Sequence, residues 1–354
     1  MALERLPLLV LGFIALVFGV GAGLARLAWP MPMPILEVVP WHGALMVCGF
    51  FGVVISLERA VAVGQLWGYG APLAAGIAGL VALFGDIGVA AWIFVLAGVI
   101  MLAATLLALS RQTTNFLIVL TVATACWPIG TLIWALGAPL QAAVGWWISF
   151  LVLTIAGERL ELSRFLPPSP NATRVFIVIV GVALLALVGN ALPGAAHVFG
   201  AALVALALWF LRQDIARRTV RQSGLTRFIA VCLLAGYFWL AVSGAVIVWY
   251  GLVPGSLSWD AALHGLLLGF VFSMVFGHAP VIFPSVLRVR LVYHPSAYVA
   301  LVLLHASVLL RVVGDALGAF ELRSWGGLGS AVALVAFIFG SALSVWRGRP
   351  KKKS

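Results

Sequence analysis

Apolar runs near the length of a bilayer crossing recur from one end of this chain to the other. They constrain the fold more than any motif does. A helix needs about 20 consecutive apolar residues to span the hydrocarbon core. Of 354 residues, 64% are hydrophobic and 9% charged, where a soluble domain carries roughly 25% charged residues. The runs show no two-residue alternation, which removes a membrane β-barrel. The expected fold is all-α: a polytopic membrane bundle of about 12 transmembrane helices, forming a single transmembrane domain over 1–354 with no soluble domain. The first run lacks a small-residue cleavage site and is followed by more spans, so it reads as a retained helix.

Helices are expected at 6–28, 41–63, 70–86, 89–110, 114–137, 140–165, 173–190, 195–213, 225–251, 259–285, 296–313 and 326–346. Breaks fall where Pro, Gly and charge cluster, as in WPMPMPILEVVPW, RFLPPSPNATR, RQDIARRTVRQSGLTR and VRLVYHPS. A further break is placed at GDIG, around Asp86. With this count, 18 of the 21 basic residues fall on one side. They are Arg5, Arg59, Arg111, Arg159, Arg164, Arg174, Arg212, Arg217, Arg218, Arg221, Arg227, Arg288, Arg290, Arg347, Arg349 and Lys351 to Lys353. Arg26, Arg311 and Arg323 fall on the other. The asymmetry places both termini in the cytoplasm of a multi-pass inner (plasma) membrane protein. The net charge of +11 is therefore a topology signal and not a nucleic-acid footprint. The KKK tail is expected to touch anionic lipid.

Cys48, Cys126 and Cys232 lie at unrelated positions within spans, without a CxxC, and read as buried, unreactive thiols. The histidines say more. His197 and His294 fall at a span start and in a loop, where solvated roles suffice. His42, His264, His278 and His305 lie within spans, where ionisable residues are costly and mark functional sites. The alternative is a histidine that only hydrogen-bonds a neighbouring helix.

His264 and His278 bracket HGLLLGFVFSMVFGH. On a regular helix fourteen residues rise about 21 Å and drift by about 40°, so both rings are expected on one face. His42 opens the second span near the outer face, at the depth of His264. His278 and His305 stand equally far from the hairpin at Leu291 and Val292. The expected pairs are His42 with His264 and His278 with His305. A haem iron takes two axial ligands, so two stacked b-type haems would use all four. Copper is the alternative for the second centre, although a bare metal ion needs three or four ligands. Arg311, with Trp41 and Arg26, is a candidate partner for haem propionates.

WHGALMVCGFFGVVISLERAVAVG, with LHGLLLGFVFSM, GH and LLRVVGD near the C-terminus, resembles the NnrS family. That family consists of twelve-span haem- and copper-containing membrane proteins linked to nitric oxide. The matches cover mainly the second span and the last third of the chain. HGALM carries fewer polar residues than the family's motif, and the second GH comes early. More distantly, the chain is similar to subunit I of the haem–copper oxidases. That resemblance implies three four-helix arcs, with low-spin haem ligands on spans two and ten. A four-span repeat would place ISLERAV and IAGERLE at equivalent positions, with Glu58–Arg59 matching Glu158–Arg159, and HGALMVCGF echoes HGLLLGF. The oxidase-type copper-site histidines of spans six and seven are absent here, which counts against oxygen reduction by that route. Glu58, Glu158 and Glu161 sit at inner helix ends and read as interfacial ion pairs.

The function expected is transmembrane electron transfer with a quinol or cytochrome partner, or metabolism of a diatomic gas such as nitric oxide. The rival is a proton-coupled secondary transporter using the intramembrane histidines. CWP, at Cys126 to Pro128, is the one candidate helix interruption recognised for it.

Overall fold

The computed structural model describes residues 3–163 and 170–348. Arg164, Arg349 and the Lys351 to Lys353 tail lie outside the described residues. The described residues form helices and no strand. Twelve helices are long and apolar enough to cross a membrane: α1 (Leu6–Ala25), α2 (Val39–Val63), α3 (Leu66–Leu83), α4 (Ile87–Arg111), α5 (Asn115–Ala135), α6 (Gln141–Leu162), α7 (Asn171–Val188), α8 (Ala195–Gln213), α9 (Gly224–Tyr250), α10 (Leu257–Leu287), α11 (Ala297–Leu317) and α12 (Phe320–Arg347). The protein is a multi-pass membrane protein of the all-α class.

The breaks have local causes. Between α3 and α4, Gly85 takes φ +90°, and the Asp86 carboxylate accepts from the Val89 amide at 3.1 Å. An N-cap of this kind satisfies an amide that no helical carbonyl can reach. The CWP segment breaks nothing, because α5 runs through Pro128. Gly98 of α4 lies beside the proline ring, and a Cβ there would come within 3.0 Å of it. Helix α12 begins at Phe320, six residues ahead of the expected start. FELRS is too polar to read as membrane-spanning, yet Arg323 Nε meets Asp315 Oδ1 of α11 at 2.6 Å. That charge pairing gives the polar turn a partner on the neighbouring span.

The sequence reading treats 1–354 as one domain. The chain divides into two compact units, Met1–Glu161 with Val286–Arg288, and Leu162–Ser285 with Val289–Ser354. In the first, small residues of α1 seat larger ones of α2. Gly12 lies under Val53, Gly19 under Met46 and Gly23 under His42. The register is antiparallel, and the missing side chains let the helices approach closely. In the second unit, Gly265 and Gly269 of α10 lie under Ser243 and Trp239 of α9, while Gly326 of α12 lies against Arg311 of α11.

Among the described residues two spans contain π-helical segments, and they are those that carry His42 and His264. Leu45–Phe51 in α2 and Gly265–Phe272 in α10 are π-helical. Such segments are rare and concentrate at functional sites. All seven residues of the first are buried.

Candidate functional site

The extra residue of a π segment turns the rest of the helix by about 100° relative to a regular α-helix. With Gly265–Phe272 lying between them, His264 and His278 point roughly 140° apart. The expectation that they share a face, drawn from a regular helix, is therefore corrected.

Three of the four intramembrane histidines have the same tautomer. His42 Nδ1 lies 2.7 Å from the Gly19 carbonyl of α1. His264 Nδ1 lies 2.9 Å from the Asp260 carbonyl, and His278 Nδ1 lies 2.8 Å from the Met274 carbonyl. A carbonyl only accepts, so Nδ1 carries the proton in each ring. In the neutral imidazole the lone pair then belongs to Nε2. This is the state in which a histidine ligates a metal, its other nitrogen held by a second acceptor behind the ring.

His305 is the exception. Its Nδ1 accepts from the Trp239 indole N–H at 3.0 Å. Its Nε2 therefore carries the proton, and meets Ser273 Oγ at 3.2 Å. The Ser273 hydroxyl in turn donates to the Cys232 carbonyl at 2.7 Å. Both ring nitrogens are engaged, so in this arrangement His305 ties α11 to α9 and α10 and offers no lone pair. To serve at a metal with His278, as the sequence reading pairs them, His305 would have to give up one of these two contacts. Among the described residues, no three His, Cys, Asp or Glu side chains are grouped so as to hold a metal ion. The donor set does not fit bare copper.

His264 heads a charged network. Asp260, one turn before it, places Oδ1 3.2 Å from His264 Nδ1. The same carboxylate holds Arg311 by Nε to Oδ2 at 2.9 Å and Nη2 to Oδ1 at 3.0 Å. Arg323 Nη2 lies 3.8 Å from Oδ2, and Arg323 is itself held by Asp315. Arg311, expected to meet propionates, is engaged here by a carboxylate whose planar geometry matches its fork. It is 7% exposed. Around the other histidine, Trp41 lies 6.2 Å from Trp134, which meets Trp147 edge-on at 6.0 Å.

A match to a family model covers residues 5–346, nearly the whole chain. The chain belongs to DUF8744, a domain of unknown function. No curated protein matches it. This DUF8744 chain also contains site residues that sequence reasoning missed. Asp260 and Asp315 are not singled out in the sequence reading. The four-residue spacing from Asp260 to His264 was the available signal, since it puts both on one helical face. At the other end of α2 and α6, Glu58, Arg59, Glu158 and Arg159 come within electrostatic range of one another, so the two Glu-Arg pairs noted in the sequence meet. The three cysteines are buried. Cys48 Sγ approaches Thr131 Oγ1 at 3.8 Å.

Proposed function

We propose that this protein is an integral-membrane b-type haem protein that moves electrons across the bilayer, of the kind the NnrS resemblance implies. The observation that carries the reading is the shared tautomer of His42, His264 and His278, with Nδ1–H given to a backbone carbonyl and the ring's lone pair on Nε2. That donor chemistry fits an axial haem ligand. When bound, haem supplies a one-electron couple at its iron. As the sequence resemblance implies, His42 and His264 would be the first pair of haem ligands, and His278 would serve a second centre. The carbonyl acceptors orient each ring, and the π segments behind His42 and His264 set the direction in which each ring leaves its helix. The charge asymmetry of the sequence supports a topology in which the His264 end of α10 faces away from the cytoplasm. Holding haem with two histidines would favour electron transfer over binding of a diatomic gas.

Reduced-minus-oxidised visible spectra of the purified protein test this. Haem bands are expected. A folded sample without haem overturns the reading and leaves the proton-coupled transporter. His42→Ala and His264→Ala are expected to remove one and the same component, and His278→Ala another. Carbon monoxide added to the reduced protein is expected to leave the His42 and His264 component unchanged.

A further inference from the structure

We propose that Asp260 is a positioning residue for His264: its carboxylate, balanced by Arg311 and Arg323, tunes the donor strength of the His264 Nε2. The inference rests on the haem reading above and deepens it.

The geometry at this histidine joins a ring, an acid and two guanidinium groups. The Nδ1–H of His264 lies between two acceptors of one residue, the Asp260 carbonyl at 2.9 Å and its Oδ1 at 3.2 Å. A carboxylate draws on the shared proton more strongly than a carbonyl does, which gives the ring imidazolate character and makes Nε2 a better donor. A better donor favours the oxidised iron and lowers the reduction potential. Arg311 and Arg323 work the other way. They neutralise the same carboxylate from α11 and α12, and Asp315 fixes Arg323 at 2.6 Å. Asp315 also stands within electrostatic range of Asp260, so His264 senses a balance between two acids, of which Asp260 alone touches the ring, and two guanidinium groups.

Potentiometric titration of the purified holoprotein, followed in the visible spectrum, tests the proposal. Asp260→Asn keeps a neutral acceptor and is expected to raise the midpoint of the His264 component. The expected change in its redox equilibrium is about tenfold, or about 59 mV for one electron. Arg311→Gln leaves the carboxylate less neutralised and is expected to lower the same midpoint. Asp260→Glu, which retains the charge, is expected to restore most of the wild-type value. Unmoved midpoints, or shifts of one sign in both variants, overturn the proposal while leaving haem binding intact. Wild-type protein without haem overturns the underlying reading instead. If Asp260→Asn fails to accumulate, Arg311→Gln decides, supporting the proposal by a downward shift and overturning it by none.

Discussion

Gly23 of α1 leaves the space that the His42 ring of α2 fills. A Cβ at Gly23 would lie 2.9 Å from the ring's Cε1 and 3.1 Å from its Nδ1. The same ring reaches the Gly19 carbonyl, one turn earlier on α1. One helix thus supplies both the clearance and the acceptor that hold the imidazole.

Gly23→Ala is therefore expected to displace His42 without unfolding the protein. Alanine is the better helix former by about 1 kcal/mol, so α1 itself does not suffer. The variant should lose the His42-dependent haem component while keeping wild-type helicity by circular dichroism. A wild-type haem spectrum would show that the ring's seat on α1 is unimportant.

Removing one residue from Leu45–Phe51 is expected to convert the π segment to α-helix. The register change turns His42 by about 100° relative to the inner half of α2. Deletion of Val47 should abolish the His42 component, and deletion of Leu267 should do the same to the His264 component. Deletion of one residue from the regular helix α12, at Val335, serves as the control and should spare both.

Arg311→Ala removes the bidentate partner of Asp260 and leaves only Arg323, at 3.8 Å, to offset its charge. Breaking a buried pair from one side costs about 3–5 kcal/mol. Asp260 is about one-fifth exposed, which places the expected loss at the lower end. The double variant Asp260→Asn/Arg311→Gln should be less destabilised than the summed single variants, since the two share one interaction. Thermal unfolding in detergent measures all of these. Simple additivity would show that the bidentate contact contributes nothing of its own.

Trp239→Phe removes the indole N–H that His305 Nδ1 accepts and leaves a half-buried acceptor unpaired, at a cost of about 1–3 kcal/mol. His305→Ala should lower the melting temperature and leave the haem spectrum unchanged. Loss of a haem component in His305→Ala would restore that residue as a ligand.

Much of the fold was legible because bilayer crossing is a composition problem. The twelve spans come from apolar length, and Asp86 marks a true break because an acidic residue before a helix caps it. The miss at Phe320 has a physical cause. FELRS looks like loop by hydropathy, and the charge that offsets Arg323, Asp315, lies on a different span. The π segments were invisible because LMVCGFF and GLLLGFVF suit an α-helix equally well, and packing decides between the two. Depth arguments placed His305 opposite His278. They carried no information about Trp239 and Ser273, which the packing of α9 and α10 brings to the ring.

The chain of hydrogen bonds through His305 also bears on conduction. It begins at an indole N–H, which does not give up its proton, and ends at the Cys232 carbonyl, which cannot pass one on. Every donor between them points the same way. A proton wire needs an entrance and an exit, and this one is stoppered at both. Any current of protons through the protein has to run by another route.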